Sequence, residues 1–263
     1  MNEMGVQPAA VPVRQEPGIP PQRPGLSQWQ RVANAFVAPQ KTFDDIKHGN
    51  RSWWLPWIIG ALFTYVLFGA VVQNIGIQQV VDNQIRMSAR AQERLAQATP
   101  EQREISNKVS LWVTEGAFIG APVMGLIGAA VVSFVLLGTI NFVFGGKANF
   151  GDVFAVTYYA WLPGIVKVLL GVAVIYAGIA PESFNAKNFA PTNLGAFLDP
   201  VDTNNALYAL ATSLDAVTIW TLILLSIGVA TVAGIKRSSG YIAVFGWWAL
   251  IVLFSVGWAA VTG

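Results

Sequence analysis

The chain has 263 residues, 54% of them hydrophobic and only 11% charged, with a formal net charge of +2. A soluble globule carries about a quarter of its residues as charges, so the composition excludes one and leaves no room for a separate soluble catalytic domain. No cysteine and a single histidine, His48, exclude disulfides, thiolate catalysis and an imidazole metal cluster, and basic residues that never form a stripe exclude nucleic acid as a partner.

Residues 1–26 hold Pro8, Pro12, Pro17, Pro20, Pro21 and Pro24 among small and polar residues, a composition that cannot bury a core. A disordered cytoplasmic tail is expected there. Residues 27–52 follow as an amphipathic interfacial segment. Ser27 with Gln30 forms a capping box, and Trp29, Val32, Ala33, Phe36 and Val37 recur at helical spacing with Arg31 opposite. Such a helix either lies in the membrane interface or packs on the cytoplasmic ends of a bundle. Pro39 is expected to stop it and Thr42 to start a second turn through Phe43 and Ile46.

From residue 53 to 263 the chain reads as five spans. The runs 52–81, 116–146, 216–235 and 238–263 contain no charge, and 153–181 contains only Lys167. Each exceeds the roughly 20 apolar residues that cross a bilayer. The predicted fold is an all-α integral membrane protein, with spans near 56–77, 115–144, 153–179, 207–234 and 241–261. After Ile77 the apolar pattern continues through Val80, Val81, Ile85 and Leu95, so the first helix is expected to run on into water. Thr99, Pro100 and Gln102 then signal a new helix that returns to the second span, making an extracytoplasmic helical hairpin. Gly116, Gly120 and Gly125 in the second span provide for close helix packing. Phe184, Phe189 and Phe197 make the segment after the third span an ordered cap.

Lys and Arg gather at the amino-terminal segment and at the turns near 147 and 236, which by the positive-inside rule places the N-terminus inside and the C-terminus outside. Phe43, Asp45, Ile46 and then Trp54, Leu55, Pro56 are matched by Phe150, Asp152, Val153 and then Trp161, Leu162, Pro163. Either spans one-two and three-four are parallel repeats, or both entrances reuse one interfacial device.

The candidate intramembrane polar residues are Lys167, Asp215 and Glu115. If Pro163 only kinks a helix begun at Val153, Lys167 sits deep and needs a partner; if the span starts at Pro163, it snorkels to the surface. Asp215 has the mirrored ambiguity, and an ion pair between the two requires the deep placement of both.

Phe36, Pro39, Phe43 and Ile46 ahead of the first span, AVTYYAWLP at the third and SLDAVTIWTLILLSIG opening the fourth resemble the Yip family of Ypt/Rab-interacting membrane proteins. The resemblance implies five spans, a cytosolic N-terminus and, for eukaryotic members, adaptors of vesicle traffic that engage Rab GTPases. The Asp-Leu-Tyr-Gly-Pro stretch of those members is absent here, so Rab binding is not expected, and the chain looks more like the bacterial branch, multi-pass proteins of the cytoplasmic membrane. In a eukaryotic cell the same features imply ER or Golgi membranes.

No phosphate loop, HExxH or GxSxG appears, and no cofactor is expected. The first functional reading is a non-enzymatic, membrane-organising or trafficking-type adaptor that docks a cytoplasmic or membrane protein partner through Trp29, Arg31, Phe36 and Phe43. The alternative is a small transporter or ion-conducting protein using Asp215 and Lys167.

Overall fold

Ser27 accepts the Gln30 N–H while Gln30 reaches back to the Ser27 N–H, and this reciprocal cap opens α1 (Gln28–Val37). The computed structural model describes residues 25–198 and 205–262, so all but Gly25 and Leu26 of the expected tail lie outside it. α2 (Pro39–Lys47) begins at Pro39 itself, not at Thr42. Proline suits a first helical position, because its missing N–H would have no partner there. α2 is packed on the bundle, with Thr42, Phe43 and Ile46 buried.

α3 (Trp54–Asn74) ends before Gly76, whose φ of +87° is a conformation other residues rarely adopt. The expected continuous helix is thereby broken into α4 (Ile77–Arg86) and α5 (Ala89–Gln97), the second capped by Ser88. Thr99 and Gln102 form the expected capping box, with Pro100 leading α6 (Pro100–Gly138), which continues as one π turn at Thr139–Val143. The third span is divided into α7 (Phe150–Ala160) and α8 (Gly164–Tyr176) at Trp161–Pro163. The fourth span, expected from residue 207, is shorter: α9 (Ala206–Ser213) precedes it as a separate helix and α10 (Ala216–Ala233) is the spanning stretch, followed by α11 (Arg237–Thr262). Two short 3-10 turns, Pro181–Ser183 and Leu194–Phe197, shape the segment after α8, and there is no strand among the described residues.

Five stretches are long and apolar enough to cross a membrane: Trp54–Asn74, Pro100–Val143, Phe150–Tyr176, Ala216–Ala233 and Arg237–Val261. The second has 44 residues, about 66 Å of helix at 1.5 Å each, about twice the thickness of a hydrocarbon core. Its Pro100 end is the polar part, which pairs with α4 through Gln78 and Asn107.

α10 is the hub, packed against α2, α7, α8 and α11. Its Gly228 makes this possible, since a Cβ there would collide with Val156 of α7 and press on the Phe43 ring of α2. Around it one core gathers Phe43, Ile46, Val153, Val156, Tyr159 and Val229. A second joins Leu67, Val71, Val80, Ile175 and Phe184. At one end of the bundle Gln40 donates to Thr231, Arg237 to Gln40, and the Lys147 N–H to the Ala233 carbonyl. At the other, Asn83 of α4 donates to the carbonyls of Pro181 and Phe184.

The repeated motif takes on a spatial meaning in these contacts. α2 meets its counterpart α7, α3 meets its counterpart α8, and α6 against α7 is answered by α10 against α2. Contacts in reciprocal pairs are what a two-fold relation between the copies produces.

Candidate functional site

Asp215 is 1% exposed and caps α10, its Oδ1 accepting the Thr218 N–H at 2.8 Å. A carboxylate is a favoured residue here, because the first turn of a helix has N–H groups without partners and a positive dipole end. Its Oδ2 accepts from Lys167 Nζ at 3.0 Å and from Thr192 Oγ1 at 2.6 Å. Lys167 projects from the first turns of α8, just past the Trp161–Pro163 break, with its Nζ 6.0 Å from the centre of the Phe189 ring. The ion pair that the sequence left undecided is therefore present, between the first turn of α8 and the residue that caps α10.

Thr192 arrives there because the segment after α8 folds back into the bundle. The Ala216 N–H donates to the Thr192 carbonyl at 3.0 Å, and Asn193 forms a bridge with Asp215. Phe189 fits because Gly171 of α8 has no side chain, and Phe184 is buried, as an ordered cap requires, while Phe197 stays exposed. Glu115 does not join this cluster. It lies exposed on α6, where the polar part of that helix gives way to its apolar run.

The second region is the α1–α2 end. Arg31, expected on the outer face, is 1% exposed. α1 is rotated so that Arg31 and Ala35 point inward, and Arg31 donates to the Asn50 carbonyl at 2.7 Å, lies 3.6 Å from Asp45 and sits over the Tyr159 ring. The Asn50 carbonyl, the Asp45 carboxylate and the Tyr159 ring offset part of the cost of burying the guanidinium, whose Nε has no hydrogen-bond partner among the described residues. Gln28 follows it inward, accepting from the Tyr159 hydroxyl and donating to Ser52. Phe43 is fully buried in the core and so cannot serve as a surface anchor, and Phe36 is half-buried against Trp220, edge to face. Trp29 and Val37 are left 67% and 81% exposed, with Ala33 between them on the outer face. Arg51 forms a further pair with Asp152, joining the entrances of the first and third spans.

Asp45, Asn50, Ser52, Tyr159, Gln28 and Thr192 are among the members of these clusters that sequence reasoning missed. In the contacts just described their partners lie between 14 and 131 residues away, beyond any local pattern.

A helical bundle with five spanning stretches, one of them divided beside an ion pair between Lys167 and the buried Asp215, defines a multi-pass integral membrane protein. The Yip1 domain family model matches residues 33–259, nearly the whole chain, and the protein belongs to that family. No curated protein and no solved structure matches it.

Proposed function

We propose that the protein is a non-enzymatic, membrane-organising adaptor of trafficking type, whose α1–α2 end faces the cytoplasm and docks a protein partner. The observation that carries this reading is the outward stripe of Trp29, Ala33 and Val37 on a helix held firmly by the buried Arg31 cluster. A rigid apolar stripe with an aromatic anchor is the usual core of a docking surface. Exposed Lys41, Lys47, Lys147, Lys236 and Arg237 ring the same end, the distribution that the positive-inside rule associates with a cytoplasmic face. A bacterial cytoplasmic membrane is the proposed location, and a Rab-type GTPase is not proposed as the partner.

The transport reading gains less support. Both oxygens of Asp215 are engaged, by Lys167, Thr192 and the Thr218 N–H, which suits a structural latch better than a site that exchanges ions. The test is partner capture by crosslinking in native membranes, followed by reconstitution. Replacing Trp29 and Val37 with Ala is expected to abolish a specific crosslink while the protein inserts and melts as before. Liposomes showing Asp215-dependent flux of an ion or solute would overturn the ranking.

A further inference from the structure

The turn between the last two spanning stretches opens on a cavity of about 220 Å³, faced by α2 and lined by Gln40, Asp44, Lys47, Thr231, Ile235 and Arg237. Unlike the cores, this lining is mostly polar and charged, and Gln40 keeps it in order. Its Nε2 donates to Asp44 Oδ1 at 3.0 Å and to Thr231 Oγ1 at 3.1 Å, while its Oε1 accepts from Arg237 Nη2 at 2.9 Å. A guanidinium carries five N–H groups and this bond uses one, so Arg237 is oriented with most of its donors free. Lys47 joins the lining from the last turn of α2 and has no hydrogen-bond or carboxylate partner among the described residues. Arg31, Arg51, Lys108 and Lys167 each stand within 3.6 Å of a carboxylate. Lys47 and Arg237 do not, although Asp44 lines the cavity with them. Two cations around one carboxylate leave a positive charge over, and a cleft of that sign draws in an anion.

The position of the cavity identifies the anion. Ala216–Ala233 and Arg237–Val261 are both long and apolar enough to span a membrane, so residues 234–236 turn at the level where hydrocarbon gives way to headgroups. Ile235 lines the cavity and Ile242 lies 63% exposed further along α11, a surface for acyl chains leading away from it. The volume falls below the roughly 300–1,000 Å³ of sites that enclose a drug-sized ligand, which suits a headgroup whose chains stay in the bilayer. Charge then decides among headgroups. A phosphodiester with an uncharged, hydroxyl-bearing head brings the one negative charge the site lacks, and its hydroxyls can donate to Asp44. An ethanolamine head would pair its ammonium with Asp44 and leave the second cation unmatched. We infer that this cavity binds the headgroup of an anionic phospholipid of the phosphatidylglycerol type, its phosphate held by Arg237 and Lys47. The inference does not rest on the docking proposal.

The test counts lipids bound to the full chain by native mass spectrometry from mixed micelles holding phosphatidylglycerol, phosphatidylethanolamine or phosphatidylcholine at equal mole fraction. Phosphatidylglycerol is expected to bind several-fold more tightly than the other two. Arg237→Gln and Lys47→Gln should each weaken it about fivefold, the effect of one basic residue beside an anionic headgroup, with melting temperatures that match the parent. Lys41→Gln removes an exposed cation of α2 that does not line the cavity, and should leave binding unchanged. No preference over phosphatidylcholine, or equal losses from Lys41→Gln and Lys47→Gln, would reduce the effect to a diffuse surface potential and overturn the site. Phosphatidylethanolamine binding as tightly as phosphatidylglycerol would overturn the charge match. Displacement of the lipid by millimolar inorganic phosphate would overturn the lipid as the source of the phosphate and assign the cavity to a soluble anion.

Discussion

Asp215 joins three parts of the chain, accepting from Lys167 of α8, from Thr192 of the returning segment and from Thr218 of its own helix. Replacing it with Asn keeps a good N-cap and removes the charge, so Asp215→Asn isolates the ion pair from the cap. Asp215 is buried while the Lys167 side chain is 27% exposed, so Lys167→Met, which strands the buried carboxylate, should cost about 3 kcal/mol and Asp215→Asn, which leaves a lysine that water still reaches, about 1–2 kcal/mol. The double variant should cost less than their sum, a coupling read by unfolding in mixed micelles. Additive losses would mean that each group reaches water by itself. Gly228 supplies a second test at this scale. Gly228→Ala forces a methyl against Val156 and Phe43 and should destabilise by about 1–3 kcal/mol, whereas Gly69→Ala, with open space around it, should not destabilise.

At the scale of elements, helix ends explain most of the architecture. Gly76 and Ser88 divide the hairpin arm into short helices, so protease cleavage is expected at residues 87–88 and 98–99 and not throughout 80–110. Uniform cleavage would show that α4 and α5 are not formed. Much of this was legible in the sequence. The boxes at Ser27 and Thr99 are local, each made within three residues, and the structure contains both. The break at Pro163 was visible as an ambiguity, because proline both interrupts and initiates helices. Asp215 was read as a charge needing a partner, and its capping role was missed, since a polar residue before a long apolar run looks the same whether the span starts there or restarts there. The face of α1 was misread for a different reason. Its apolar stripe follows Trp29 and Val37, but burial follows Arg31, whose compensating groups lie at 45, 50 and 159, and no helical periodicity encodes them.

At the scale of the whole molecule, the copies around Phe43 and Phe150 pack reciprocally, and the charged turns collect with α1 and α2 at one end. If that end is cytoplasmic, reporters inserted in the turns at 145–149 and 234–236 should share one side of the membrane, and reporters at 98 and after 263 the other. A reporter at 263 on the same side as one at 235 would remove a span. The central claim is that the α1 stripe meets protein while the outer face of α11 meets only lipid. A photo-crosslinking residue placed at Val37, and separately at Leu253, in native membranes tests this most directly. The account predicts a discrete protein adduct from Val37, lost when Trp29 is also changed to Ala, and lipid adducts alone from Leu253; lipid adducts alone from both positions would contradict it.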